Sequence, residues 1–322
     1  MKLPVPAASA LAAAFFCNAP CAAQNYPSGP LRIVIPFAPG GSTDILGRML
    51  AQKLGEKFKV PAVADNRPGA NGTLGTLAVV KAPPDGHTLL IVPAGFAANP
   101  IMYRNLPYDQ TRDLAPVSQL VAGPLTLTVH PSLPAKTARD LIALAKARPQ
   151  EITFGSSGTG SLNQLAAEWF ALSAGIKMIH VPYRGGGAGV VDLMSGQISL
   201  YFMNALQSLP YIKSGRLRAL GVTTPQRSPF APDIPAIAES GLPGYDMTTW
   251  LALLVTGGTP REVLAKLHAE VAQILNQPDT RERLAADGMG VVASTPAQFA
   301  EFLARENGKY ARIIKAAGIE PQ

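Results

Sequence analysis

The stretch IVIPFAPGGSTD, Ile33 to Asp44, sets the architecture of this chain. An apolar β run from Ile33 to Phe37 stops at Pro39-Gly40-Gly41, and a helical pattern restarts behind Ser42, Thr43 and Asp44, each a residue type suited to cap it. The first N–H groups of a helix have no internal partner and carry the positive end of its dipole. Glycines ahead of them permit close approach, so the turn suits an anion, and a small carboxylate is the first expectation.

Working outward, the helix runs from Asp44 to Phe58 with Leu46, Leu50, Leu54 and Phe58 on one face, and a strand follows from Val60 to Ala64. A second glycine loop, Asn66-Arg67-Pro68-Gly69-Ala70-Asn71-Gly72, opens a helix over Thr73 to Lys81. The turn Pro83 to Gly86 then leads into the strand His87 to Val92. Strands are expected at Val117 to Val121, Leu125 to His130 and Ile152 to Phe154, with a helix from Ala138 to Arg148 between the last two. A third glycine loop, Gly155 to Ser161, opens the helix Leu162 to Ala174. Beyond it come a strand at Met178 to Val181, a glycine-led helix carrying Asp192, and strands at Ser199 to Met203 and Leu217 to Thr223.

Pro225, Pro229, Pro232, Pro235 and Pro243 mark a chain crossing between lobes, and helices at Arg261 to Leu275 and Pro296 to Ala317 finish the sequence. Strands alternating with helices indicate an α/β fold, and the two halves share one layout. The reading is two lobes, residues 24–123 with 229–322 and residues 124–228, each a mostly parallel sheet flanked by helices. Loops beyond the carboxyl ends of the strands would face one cleft.

Lys2, the apolar run Ala7 to Cys17 and the small residues Ala19 to Ala23 read as a signal peptide over residues 1–23, which places the mature protein in a bacterial periplasm. The apolar run is far short of the roughly 20 residues a membrane span needs. Pro20 argues against lipid attachment at Cys21. Both cysteines, Cys17 and Cys21, leave with this segment, so thiol, disulfide and cysteine–metal chemistry leave with them. Roughly 300 residues remain, enough for a core that needs no disulfides.

The formal charge of +7 falls by one unit when Lys2 is lost. Its basic residues are interspersed with acids, as in Arg281-Glu282-Arg283, and no basic stripe alternates with aromatics, so no nucleic-acid partner is expected. The motifs of nucleotide and acyl chemistry fail one by one. Ser161 stands where a phosphate loop needs Lys, Val190 where a dinucleotide loop needs its third Gly, and Thr159 where a nucleophile elbow needs its last Gly. His87, His130, His180 and His268 show no metal-ligand spacing, so neither metal nor cofactor is expected. A triad of Ser156, His180 and Asp192 can be drawn but is set aside, and no catalysis is expected.

What remains is an inventory of N–H donors and hydroxyls. The candidate ligand contacts of the first loop are Phe37, Pro39, Gly40, Gly41, Ser42, Thr43 and Asp44, and those of the third are Ser156, Ser157, Thr159 and Ser161. Thr73, Phe96, Tyr183 and Asn204 complete the set. For Ser42, Thr73 and Ser161 helix capping and ligand contact are compatible roles. Asp44 is either a cap favoured by the dipole or a carboxylate facing the ligand. Phe37 ends its strand and is placed against the ligand, whereas Trp250 is assigned to the core.

In one order along the chain stand Pro36-Phe37-Ala38-Pro39-Gly40-Gly41-Ser42-Thr43-Asp44, the loop Asn66 to Gly72, Pro84-Asp85-Gly86-His87-Thr88-Leu89-Leu90, Gly155 to Ser161 and His180-Val181-Pro182-Tyr183-Arg184-Gly185. Asp192 to Gln197 and Glu239-Ser240-Gly241-Leu242-Pro243-Gly244 continue the series. Together they resemble the Bug receptors, the periplasmic solute-binding proteins of tripartite tricarboxylate transporters. That resemblance implies a two-lobed flytrap that closes on a small organic acid and delivers it to membrane permease subunits without catalysing a reaction, and a monomer is expected. It implies that the loops matching Phe37 to Asp44 and Gly155 to Ser161 hold one ligand carboxylate, partly through waters, while the distal end of the ligand sets specificity. A sensor feeding a signalling system, or a periplasmic enzyme on the same scaffold, are the alternatives. The chain departs from the family pattern at Gln164 in place of His, His87 in place of Tyr, Ala252 in place of Gly, and at Gly187-Ala188-Gly189 in place of a bulkier segment.

Overall fold

The computed structural model describes residues 26–183 and 186–321; the expected signal peptide, residues 1–23, lies outside them. The chain opens with β1 (Leu31–Ile35), α1 (Ser42–Phe58), β2 (Ala62–Asn66), α2 (Thr73–Val80), β3 (Thr88–Pro93) and α3 (Asn99–Met102). The middle comprises β4 (Leu114–Val129), α4 (Ala138–Ala147), β5 (Thr153–Ser156), α5 (Leu162–Ala174), β6 (Ile179–Pro182), α6 (Gly186–Met194), β7 (Leu200–Asn204), α7 (Ala205–Lys213) and β8 (Arg218–Val222). It closes with β9 (Thr248–Thr256), α8 (Arg261–Leu275), α9 (Pro278–Ala286), β10 (Gly290–Val291) and α10 (Pro296–Ala316).

Two ladders share β4. In the first, β1 lies between β2 and β3 and runs parallel to both. β9 pairs antiparallel with β3 and with β4 up to Pro124, where β10 also joins. In the second, β4 from Leu125 onward pairs antiparallel with β7 and β8, and β5 runs parallel to β6 and β7. Both sheets are therefore mixed: the parallel strands that carry the loops stand as expected, and antiparallel β4 and β9 are added between them.

The sequence reads two strands broken at Gly123-Pro124, but β4 is one strand that changes partners there. Pro124 faces Thr248 of the first ladder and Leu125 faces Asn204 of the second. A proline has no N–H to give a ladder, so it is tolerated where the strand leaves one sheet for the other. β9 has no counterpart in the sequence reading. Its TTWLALLVT is buried at every position after Thr249, and such a continuous apolar run carries no period from which to assign a strand.

The chain crosses back later than expected. Residues 235–245 stay on the second ladder, where Val222 N–H donates to Pro235 O at 2.8 Å, Ile237 N–H to Val222 O at 2.9 Å, and Tyr245 Oη to Ala166 O at 2.8 Å. We place the return passage at Met247-Thr248 instead of near residue 229, because the prolines turn the chain along the second lobe and do not carry it across.

α10 ties the lobes together along one edge. Phe299, Tyr310, Ile313 and Ile314 belong to the same buried cluster as Val92 and Phe96 of the first lobe and Phe170 and Phe202 of the second. Trp250 is fully buried beneath it, edge-on to Phe299 at 6.2 Å and to Phe302 at 5.5 Å. α1 and α8 cover the opposite face of the first ladder with Leu46, Leu50, Leu54, Leu267 and Val271.

Candidate functional site

The strand ends and the helix starts meet at one cavity of about 390 Å³. From the first lobe it is lined by Phe37 after β1, Ser42 at the start of α1, Asn71 of the second glycine loop, Pro93, Ala94 and Gly95 after β3, and Thr249 of β9. The second lobe adds Ser157, Gly160, Ser161, Leu162 and Asn163 around the start of α5, and Gly186 and Val190 of α6. Leu125, Tyr201, Met203, Asn204 and Gln207 complete its wall. All the loops involved follow carboxyl ends of parallel strands, the usual position of ligands in such sheets.

The first loop is open to the cavity and braced from behind. Residues 38–42 are exposed, and Gly40 adopts φ +95°, a conformation that strains any residue with a side chain. The N-cap of α1 is Gly41, and no side chain caps the helix. The amides of the first turn thus keep their donors for a ligand or water. Asp44 explains how the turn holds its shape. Its side chain is buried, and its carboxylate accepts from Gly40 N–H at 2.9 Å, from Asn66 Nδ2 at 2.8 Å and from Arg48 Nε at 3.0 Å. Asn66 Nδ2 also donates to Phe37 O at 3.0 Å, and Arg48 Nη2 to Asn66 Oδ1 at 2.6 Å. The Arg48 guanidinium, helped by the Gly40 amide and Asn66, holds the Asp44 carboxyl down at about 2. This charge is spent on the loop itself, so of the two readings of Asp44 neither is what the geometry gives: the carboxylate braces the turn.

The third loop is organised by neutral groups. Ser161 is the N-cap of α5 and its hydroxyl accepts from Gln164 N–H at 3.5 Å, as its residue type led us to expect. The Gln164 side chain closes the turn by accepting from Gly160 N–H at 2.8 Å. Ser157 Oγ donates to Asn163 Oδ1 at 2.8 Å, and Asn163 Nδ2 donates to Phe202 O at 2.6 Å. Gln164, at the position where the family pattern has His, therefore organises this turn through its side-chain amide.

Ser156 and His180 do meet, with Oγ and Nε2 2.6 Å apart. Ser156 is fully buried, and its hydroxyl also lies 3.1 Å from Gly158 O and accepts from Gly158 N–H at 3.2 Å, so it is tied into its own turn. Burial lowers the His180 pKa and keeps the ring neutral, stacked on Phe154 at 4.9 Å. Asp192 does not complete a triad, because its Oδ2 accepts from Tyr183 Oη at 2.7 Å. With no carboxylate on its far nitrogen among the described residues, the His180 ring is not oriented as the base of a triad.

The structure thus brings Phe37, Ser42, Ser157, Ser161 and Asn204 to the cavity wall, with Pro39, Gly40 and Gly41 in the exposed loop that carries Ser42. Thr43 and Asp44 are buried behind that loop. Thr73, at the first position of α2 behind Gly72, is buried near Tyr108, and its expected capping hydrogen bond is absent. Phe96 is 4% exposed and packs in the core, because the turn Ala94–Ala98 rolls its side chain inward. Thr159 is exposed and does not border the cavity, and the Tyr183 hydroxyl is engaged by Asp192.

Several wall residues escaped the sequence reading. Asn71 sits in a loop already singled out, and its φ of +48° puts it in the left-handed region that Asn tolerates in turns. Asn163 and Gln207 occupy first turns of helices that follow strands, a place in the chain where ligand contacts gather. Tyr201 and Met203 share one face of β7 by alternation, but alternation alone does not say which face meets a cavity.

Residues 46–319 match the family described as the tripartite tricarboxylate transporter family receptor. The chain is 36% identical over 302 residues to protein BugT of Bordetella pertussis, covering 93% of each. A solved structure of an R. palustris protein with adipate aligns at a TM-score of 0.79 and 34% identity, over 92% of this chain and all of the other. MatC from Rhodopseudomonas palustris with bound malate aligns at 0.75 and 28% identity, over 90% of this chain and all of that one.

Proposed function

The chain belongs to the tripartite tricarboxylate transporter receptor family, and from that premise we propose that it captures a small carboxylate-bearing solute in the periplasm and hands it to the permease of such a transporter. Members of this family are solute-binding receptors and not enzymes. One observation carries the reading of the site: the N-termini of α1 and α5, one from each lobe, open onto the same cavity.

In this reading one ligand carboxylate bridges the two helix starts. Ser42 and the amides of Gly41, Ser42 and Thr43 hold it from the first lobe; Ser157, Ser161 and the amides of Leu162 and Asn163 hold it from the second. Phe37 covers the ligand's flank, and Asn204 faces its body. Because each lobe supplies half of the donors, a bound ligand favours the closed arrangement by its differential contacts, and the closed form is what the permease meets. Export by the signal peptide over residues 1–23 and action as a monomer belong to the same proposal. The R. palustris relatives with adipate and malate support carboxylate chemistry.

A thermal-shift screen with aliphatic, amino and aromatic acids, their primary amides and neutral sugars tests it. An acid at 100 times its dissociation constant adds about 2.7 kcal/mol of stability, and its amide adds far less. Equal shifts from acid and amide, or chemical change of the solute after incubation, would overturn the reading.

A further inference from the structure

The central cavity continues into a second hollow of about 530 Å³ that shares Gly186, Val190, Met203 and Gln207 with it. This hollow runs between α6 and α7 and is walled by Val191, Met194, Pro210 and Tyr211. Residues 187, 190, 191 and 194 fall at helical spacing, so they form one stripe of α6. That stripe is only partly covered: α6 buries only Gly189 and Leu193, while Val190 and Met194 are half-buried against the cluster of Tyr201 and Met203, and Val191 is 59% exposed. Apolar surface left uncovered along a groove is what an apolar ligand tail covers favourably.

A second observation points to the same ligand. Tyr201 is 2% exposed and borders the central cavity, and its hydroxyl, although close enough to Ser157 to feel it, completes no hydrogen bond. Burial pushes the phenol up to about 12, so it remains a proton donor at neutral pH. A buried donor without a partner, beside the loop assigned to the carboxylate, is completed by an acceptor on the ligand. The glycines keep it reachable: a Cβ on Gly186 would stand 3.6 Å from this hydroxyl, and a Cβ on Gly187 would meet nothing within 4 Å. Gly189 is needed for a different reason, since its Cβ would lie 2.5 Å from Cε2 of Tyr201. Among the described residues no Asp, Glu, Lys, Arg or His side chain lines either hollow.

We propose that the solute is a monocarboxylic acid with a long uncharged body, whose carboxylate takes the Tyr201 hydroxyl as an added donor and whose tail passes Val190 and Met203 into the hollow between α6 and α7. This rests on the carboxylate-receptor reading and narrows it. Gly186 and Gly187, which line the hollow without side chains, are the feature that opens the path.

Calorimetric titration of the purified protein with butyrate, octanoate, adipate, suberate and octanamide tests it. Octanoate binds roughly a hundredfold more tightly than butyrate, the effect of burying four further methylenes, and more tightly than suberate, which carries a second charge into a hollow whose described lining bears none. Gly187→Phe fills the hollow and lowers the octanoate-to-butyrate ratio below about tenfold. Val191→Glu, at an exposed position where folding is not at stake, lowers the same ratio by placing a charge beside the tail. Tyr201→Phe weakens butyrate and octanoate by the same factor. Adipate or suberate binding more tightly than octanoate, equal binding of octanoate and butyrate, or a ratio indifferent to both α6 variants would overturn the inference while leaving the receptor reading intact. Octanamide binding as well as octanoate, or no acid binding at all, would overturn both.

Discussion

The loops that begin α1 and α5 have the same plan, a strand, a glycine turn and a helix start facing one cavity, yet they are braced by different chemistry. Behind the first stands an ionised carboxylate, Asp44, tied to Arg48, Asn66 and the Gly40 amide. The third is held by serine hydroxyls and amide side chains, Ser157 with Asn163 and Ser161 with Gln164. Both leave backbone donors free at the helix start, but only one depends on a charge to do so. A negative group near a helix N-terminus competes with an anionic ligand for the dipole unless it is neutralised, and Arg48 provides that neutralisation. The pair of loops shows that a neutral and a charged scaffold can present equivalent donors.

The strongest way to break the comparison is Asp44→Ala. It strands Asn66, Arg48 and the Gly40 amide together, and the expected loss is about 2–3 kcal/mol in urea unfolding, with weaker acid binding because the loop loosens. An unchanged midpoint would mean that the network is ornamental.

The charge difference also predicts a pH signature. The Asp44 carboxyl is held below its ordinary value of 3.8, at about 2. The stability it contributes is therefore full above 3.8 and is lost as pH falls through about 2. Over that acid window the wild type should lose more stability than Asp44→Asn, whereas Ser161→Ala should track the wild type. Parallel curves for all three would remove Asp44 from the account.

Ser161→Ala is the counterpart on the neutral side. Loss of the cap costs about 1 kcal/mol, and because Ser161 lines the cavity the acid affinity falls with it. A stability loss without any change in affinity would make Ser161 a cap alone. Thr159→Ala sharpens the contrast at the small end. The side chain is exposed and away from the wall, so stability should move by less than about 0.5 kcal/mol and calorimetric affinity should not move at all.

The glycine loops and their helices were legible in the sequence because Gly and Pro punctuate the chain and the apolar period of α1 and α5 is regular. The antiparallel spine was not legible. β9 has no alternation because both its faces are covered, and Pro124 reads as a break although it marks a change of partner. At the site, residue type announced Ser42, Ser157 and Ser161, whereas Asp44 carried two readings and the geometry chose a third. Phe96 and Tyr201 show the limit most plainly. One aromatic turns into the core and the other onto the cavity, and only tertiary packing decides which.

One carboxylate shared between the helix starts of the two lobes is what makes ligand capture and closure a single event. A crystal structure with the tightest-binding acid tests it directly. The expected result is carboxylate oxygens within hydrogen-bond reach of donors from both the Gly40 to Thr43 turn and the Ser157 to Asn163 turn, directly or through one water. A carboxylate seated against one lobe only, or at the Gln207 end of the cavity, would contradict it.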